Sequence, residues 1–366
     1  MSDSESAGQL KEALNAQAMK VIASVAKRAT GRFDGARFLQ IALADLDNLS
    51  IMERMAQAAD ALRESLPGDY LAALETLRAM APKLPAGFVS MVLPEMVARH
   101  GVDHFEASLD ALEWLTSFST AEFAMRPFLI SDLDKALHKA LQWTEHSNEH
   151  VRRLASEATR PRLPWAKRLP ILAANPQLSL PILERLRADP SRYVQRSVAN
   201  HLNDIVKQDQ EWVLDLIEGW PKDSEHTRWI IKHAIRNMIK AGHPRALAAI
   251  GASTSIKAAA NFAVDTKEVT LGDHMCMSAS LLSQAETSQK IVLDYAVSFA
   301  RNGGKVHRKV FKWRTCVLEA GQIIDFKRSH HFVDRTTRKH VAGLHKIELL
   351  VNGDAVAKFD FLLAIP

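Results

Sequence analysis

Residues 148–165, NEHVRRLASEATRPRLPW, decide how the rest of the chain is read. From Glu149 the spacing predicts a helix in which Arg153 and Glu157, four residues apart, share one face. Pro161 cannot continue a helix and disfavours helical geometry in the residue before it, so the helix should stop near Arg160. The PRLPW that follows is a proline-stiffened turn presenting Trp165. Residues 148–168 hold Arg152, Arg153, Arg160, Arg162, Lys167 and Arg168 against only Glu149 and Glu157. A carboxylate ringed by guanidiniums beside an indole makes a poor core and a good anion-facing surface. The plainer reading is a solvated charged helix.

Working outward, the heptapeptide VRRLASE (151–157) matches VQRSVAN (194–200), 43 residues on. A weaker copy, IIKHAIR (230–236), comes 36 later, and a polar turn precedes each: HSNEH, DPSRY and PKDSEHT. Solenoids of HEAT and armadillo type repeat helix pairs at about 40–47 residues. In this alignment Arg153, Arg196 and Lys232 are equivalent, so stacking would line them along one concave wall. Similar helices that merely look alike are the alternative.

From about Lys11 to Gly251 the periodicity is helical. GARFLQIALADLDNL puts Phe38, Ile41, Ala42 and Leu46 on one stripe, and LSIMERMAQAADALRESLPG does the same with Ile51, Met52, Met55, Ala59 and Leu62. Pro67-Gly68, Pro82, Pro85 and Gly101 punctuate helices of roughly 10–18 residues, the pattern of stacked pairs. Residues 1–8 lack periodicity and read as disordered. Near residue 252 the small, polar ASTSIKAAANF marks a break, and the period falls to two. IVLDYAVSF puts Ile291, Leu293, Tyr295, Val297 and Phe299 on one strand face, with Asp294 and Ser298 opposite. VHRKVFKWRTCVL, HKIELLV and AVAKFDFLLAI also read as strands, and NGG (302–304), EAGQ (319–322) and NGD (352–354) as hairpin turns. Six or seven strands over residues 259–366 predict a small immunoglobulin-like β-sandwich after a helical domain at 9–258.

The composition is that of a globular protein, with 47% apolar and 24% charged residues. No apolar run approaches the roughly 20 residues of a membrane span, and MSDSESAGQL reads as no secretory signal. Cys276 and Cys316, the only cysteines, exclude a disulfide-dense scaffold and a four-cysteine zinc site. They are expected as free, buried thiols in a reducing cytoplasm. The net charge of +5 is uneven: residues 1–120 balance to −5, 121–258 to +6 and 259–366 to +4. Basic charge concentrated in the middle and at the end suggests a polyanion site.

Three acids stand against that basic middle: Glu157, Asp204 (one turn after Asn200, which aligns with Glu157) and Glu122, four residues before Arg126. Carboxylates repel phosphate, so keeping them there makes sense if they meet a developing positive charge. Hydrolysis of a glycosidic bond supplies one, through an oxocarbenium-like transition state. A carboxylate can stabilise that cation and orient or deprotonate water. Salt bridging to neighbouring arginines explains the same acids equally well. Trp165 and Trp229, beside basic residues, suit stacking on a sugar or base; Trp114, Trp143, Trp212 and Trp220 belong to apolar-patterned helices. No phosphate-cradling glycine loop, GxSxG or HExxH is present. His330, His331, His340 and His345, with RTTRK (335–339), read as a basic loop able to touch phosphate.

NEHVRRLASEATRPRLPWA, DPSRYVQRSVANHLNDI and TRWIIKHAIRNMIKAGHP together resemble the bacterial DNA alkylation repair glycosylases built on HEAT-like repeats, in their AlkC branch. The resemblance runs over about residues 10–250 and is strongest from Glu122 to Pro244. It implies a right-handed α-solenoid followed by the immunoglobulin-like domain, and removal of N3-methylated bases, 3-methyladenine and 3-methylcytosine, from duplex DNA. Carried over residue by residue, it makes Glu122, Glu157 and Asp204 the site acids and Trp165 the site aromatic. Arg153, Arg160, Arg162, Lys167, Arg192, Arg196, Arg228, Lys232 and Arg236 are then expected to hold phosphates. Neither cofactor nor metal is expected, the partner is double-stranded DNA, no membrane is involved, and a monomer suffices. Two rival classes remain: a non-catalytic solenoid that binds DNA or protein, and a metal-dependent nuclease using clustered carboxylates.

Overall fold

The computed structural model describes residues 10–164, 166–334 and 339–366. The segment read as disordered, Trp165, and most of the RTTRK stretch lie outside the described residues. The helical part carries 16 α-helices among the described residues, from Ala16–Ala29 to Pro244–Ala249. Many of their starts are set by short polar side chains that accept the otherwise unpaired N–H groups of the first turn, while others, such as Arg126–Ser131 and Pro244–Ala249, carry a proline in the first turn and no side-chain cap. Ser50 and Glu53 form a capping box on the Ile51–Ser65 helix, and Asp69 and Asp132 cap Tyr70–Met80 and Leu133–Trp143.

The three repeat copies begin on equivalent caps. Asn148 accepts from His150 N, Ser191 from Tyr193 N and Ser224 from His226 N. Counted from those caps, the third, sixth, seventh and tenth residues are buried in every copy. They are Val151, Leu154, Ala155 and Ala158; then Val194, Ser197, Val198 and His201; then Thr227, Ile230, Ile231 and Ala234. The fourth residue reaches back each time to the turn before its helix. Arg152 donates to the carbonyls of His146 and Ser147, Gln195 to that of Asp189, and Arg228 to those of Lys222 and Asp223. This register corrects the sequence alignment of the third copy by three residues. Trp229, not Lys232, occupies the position of Arg153 and Arg196. The Glu149–Ala158 helix packs on Arg192–Val206, which packs in turn on Glu225–Ala234.

Among the described residues the strands number eight, more than the period of two announced: β1 Ala258–Val264, β2 Glu268–Thr270, β3 His274–Ser283, β4 Gln289–Ala300, β5 Val306–Leu318, β6 Ile323–His331, β7 Gly343–Val351 and β8 Asp354–Ala364. They form a three-stranded sheet, β1-β3-β6, and a five-stranded sheet, β2-β8-β7-β4-β5. β2 pairs parallel to β8 and the other pairs are antiparallel. The inward residues of both sheets make the core, with Met277, Tyr295, Val297, Phe299, Ile347 and Phe361 at one end and Leu281, Ile291, Leu293 and Leu349 at the other. NGG and NGD turn the β4–β5 and β7–β8 hairpins, but EAGQ does not make a hairpin: it carries the chain from one sheet to the other. The small-residue stretch after residue 252 runs directly into β1. Cys316 is half-buried, whereas Cys276 is exposed, because in β3 it alternates with the inward Met275 and Met277; both thiols are free.

The expected basic histidine loop is also corrected. His330, the penultimate residue of β6, has its Nδ1 2.9 Å from the Tyr295 hydroxyl, and His340 and His345 are buried against the Phe299 ring. These three imidazoles belong to the aromatic core.

Compactness divides the chain into one unit of residues 1–213 and 221–234 and another of 214–220 and 235–366. The second therefore includes the last two helices, Arg236–Lys240 and Pro244–Ala249, with the sandwich. The β7–β8 turn shows why. Asn352 (φ 49°) donates to the carbonyls of Ser253 at 2.6 Å and Lys290 at 3.1 Å, and accepts from Val292 N at 2.6 Å. Beside it Gly353 (φ 92°) approaches Gly242 so closely that a Cβ would lie 2.1 Å from the Gly242 Cα.

Candidate active site

Glu122, Glu157 and Asp204 come together within the first unit. Glu122 lies in the turn before the Arg126–Ser131 helix, Glu157 is the penultimate residue of Glu149–Ala158, and Asp204 sits in the last turn of Arg192–Val206. The acids alternate with cations. Arg153 grips Glu122 with both terminal nitrogens, at 2.9 and 3.0 Å, and approaches Glu157 at 3.7 Å. Arg160 bonds Glu157 at 2.5 Å on one edge and Asp204 at 2.8 and 2.9 Å on the other. Lys207 closes the row 3.4 Å from Asp204. The order is Glu122, Arg153, Glu157, Arg160, Asp204, Lys207, with charges of alternating sign.

Polar neighbours fix the row. Ser197, on the buried stripe of its helix, donates to the second Glu157 oxygen at 2.6 Å. Thr120 bonds Glu122 and accepts from Arg153. Tyr193 lies 5.0 Å below the Arg153 guanidinium in a cation–π contact, and burial raises its phenol pKa despite that cation. His201 is fully enclosed, with Nδ1 3.1 Å from the Ser156 carbonyl. Burial first, then the nearby Arg160 and Arg126 cations, lower its pKa to about 3, so it is neutral. Burial works against the charge on Arg153 and Arg160, but the carboxylates prevail and both pKa values rise.

Two of the expected phosphate contacts are thereby reassigned. Arg160 is only 9% exposed, and the Arg153 side chain 13%, and both spend their donors on carboxylates. A guanidinium held this way orients the acids. Lys167, Arg192, Arg196 and Arg228 are exposed, and Arg162, Lys232 and Arg236 half-buried. Arg192 lies 4.3 Å over the Trp229 ring, which also stacks on His233. Trp143 and Trp220 are core residues as their helices predicted, the former donating to Glu113. Among the described residues no group of three or more acids, histidines or cysteines is arranged to hold a metal ion. None of their helices is long and apolar enough to cross a membrane.

A helical-repeat domain carrying a buried row of alternating charges, joined to an immunoglobulin-like sandwich, defines a narrow class. Residues 39–238 match the model of the family described as "DNA alkylation repair enzyme", and the chain belongs to that family. Residues 258–365 match "Uncharacterised protein YhaZ, C-terminal Ig-like domain". The chain is 38% identical to the uncharacterized protein YhaZ of Bacillus subtilis (strain 168) over 354 residues, which are 96% of this chain and 98% of that one. It is 44% identical to the alkylpurine DNA glycosylase AlkC of Pseudomonas fluorescens in a structure bound to DNA containing an abasic site analog. That superposition has a TM-score of 0.91 and covers 97% of this chain and 99% of that one.

Proposed function

We propose that the protein is a DNA glycosylase that hydrolyses the N-glycosidic bond of N3-alkylated bases, 3-methylcytosine and 3-methyladenine, in duplex DNA. The observation that carries this reading is the meeting of Glu157 and Asp204, from two successive repeat helices, on the single guanidinium of Arg160. The pair is pre-oriented before substrate arrives, which is how electrostatic catalysis avoids reorganisation during the reaction. An N3-alkylated base already carries positive charge and leaves readily. The protein then has to stabilise the sugar as it turns cationic and to direct water at it. Glu157 and Asp204 take those roles, with Glu122 supporting through Arg153, and Trp165 packs near the deoxyribose. Arg162, Lys167, Arg192, Arg196, Arg228, Lys232 and Arg236 hold phosphates of the same duplex. We take the enzyme to act as a cytoplasmic monomer, with residues 9–258 as its catalytic and DNA-binding domain. Similarity to a glycosylase captured on an abasic-site analog supports the choice of bond.

The test is release of the free base from a duplex with one 3-methylcytosine or 3-methyladenine, with and without EDTA. Base release indifferent to chelator is expected, and a loss of about 100-fold or more in the single-turnover rate for Glu157→Gln or Asp204→Asn with DNA binding retained. Undamaged duplex bound as tightly as damaged, with no base released, would establish a non-catalytic solenoid instead. Strand cleavage abolished by EDTA would establish a nuclease, although the Arg160 guanidinium fills the space a cation would need between the two acids.

A further inference from the structure

We infer that Arg126 is a positioning residue for this hydrolysis: a buried cation behind the acids that holds the backbone of Arg160, and with it the guanidinium between Glu157 and Asp204, in place. The inference rests on the glycosylase reading above.

Arg126 opens the short Arg126–Ser131 helix and is 2% exposed. Among the described residues its side chain makes one hydrogen bond, from Nη2 to the carbonyl of Arg160 at 2.7 Å. That carbonyl belongs to the residue whose side chain spans Glu157 and Asp204. The Nε and Nη1 donors of Arg126 are buried and have no partner among the described residues. Burying two guanidinium donors without a protein partner is costly, and a neutral side chain such as glutamine or methionine would fit with a smaller penalty. A demand for positive charge explains the choice where a demand for hydrogen bonds does not. Burial, and then repulsion from Arg160, lower its pKa to about 10, while Glu157, Asp204 and Glu122 pull the other way. It therefore stays charged at neutral pH.

The balance of the cluster makes the role specific. Three carboxylates face two buried cations, Arg153 and Arg160, and Lys207 contributes from a side chain that is 48% exposed. His201 is neutral and Tyr193 holds its proton, so neither offsets an acid. Arg126 is the third buried cation, and its charge is screened least by water.

The experiment is the pH dependence of single-turnover base release from a duplex with one 3-methyladenine, for the wild type, Arg126→Met and Arg126→Lys. Binding to an abasic-analog duplex is measured in parallel. Removing a buried positive charge from beside carboxylates favours their neutral form, so the acid limb of the Arg126→Met profile should move up by about one pH unit. The rate near neutrality should also fall, roughly tenfold, with affinity unchanged, because the backbone of Arg160 loses the bond that anchors it. Lysine keeps the charge but not the planar bond to Arg160, so its acid limb should stay at the wild-type position. An unmoved limb in Arg126→Met, or an equal shift in Arg126→Lys, overturns the inference while leaving the glycosylase reading intact. Absence of base release by the wild type overturns both. Should the methionine variant fail to fold, Arg126→Gln takes its place: an acid limb moved up by about a unit supports the role, and an unmoved one overturns it.

Discussion

Arg160→Met is the most incisive single change to this molecule. The guanidinium bonds Glu157 at 2.5 Å and Asp204 at 2.8 and 2.9 Å, and the three side chains are 10%, 8% and 5% exposed. Methionine fits the same volume but leaves two carboxylates facing each other in a dry setting. Removing one partner from a buried ion pair costs about 3–5 kcal/mol, mostly as the penalty on the charge left behind. For a unit of this size that lowers the melting temperature on the order of 10 °C. Thermal unfolding followed by helix content at neutral pH measures it. Adding Glu157→Gln to Arg160→Met should recover part of the loss, a coupling of about 1–3 kcal/mol, because one of the stranded charges disappears. A loss below about 1 kcal/mol, or strict additivity of the two changes, would show that Arg160 does not clamp the acids, and the pre-oriented site would have to be abandoned.

Other consequences can be checked separately. Arg196 is exposed on the helix that carries Asp204, so Arg196→Ala should weaken duplex binding alike for damaged and intact DNA and reduce the slope of log affinity against log salt by about 1, as titrations at several salt concentrations would reveal. His201 is neutral in the folded chain down to about pH 3 but takes up a proton near 6.5 when unfolded. Its contribution is thus intact above pH 6.5 and is lost as pH falls toward 3, by about 1.4 kcal/mol per unit. Urea unfolding at pH 6.5 and pH 5 should show His201→Asn losing about 2 kcal/mol less than the wild type over that interval. Gly353→Ala would force a Cβ to 2.1 Å from Gly242 at a φ of 92° and should destabilise the sandwich-containing unit by more than about 1 kcal/mol in chemical denaturation, whereas Gly303→Ala meets no atom within 4 Å and should cost only its positive φ.

Several features were legible because they depend on local rules. The helix starting at Glu149, the turn at Pro161 and the inward face of β4 follow from period and proline geometry alone. The acids were legible as a set because Glu157 and Asp204 lie on copies of one motif. What could not be read was which charge each charge meets. Arg153 and Arg160 look like Arg192 and Arg196 in the sequence, yet the first two face carboxylates from other segments and the last two face solvent. Such pairing across 31 to 44 residues is set by packing and leaves no periodic trace. The third copy slipped by three residues because Thr227 fills a buried position where the first two copies carry valine, and the apolar Ile230-Ile231 attracted the alignment instead. His330 and His340 misled for a related reason: polarity suggested a loop, while the Tyr295 hydroxyl and the Phe299 ring offered them an interior.

The contact between Asn352-Gly353 and the backbone around Gly242 and Ser253 has a practical bearing on any attempt to study the two halves apart. A polypeptide begun at Ala258 would retain every strand yet strip the β7–β8 tip of the main chain it leans on, leaving the Asn352 amide short of a carbonyl and a glycine-sized notch open to water. An autonomous C-terminal piece has to start at least as early as Ile235. A tag or fluorophore grafted into that tip would meet a wall, while the Gly303 tip has room around it.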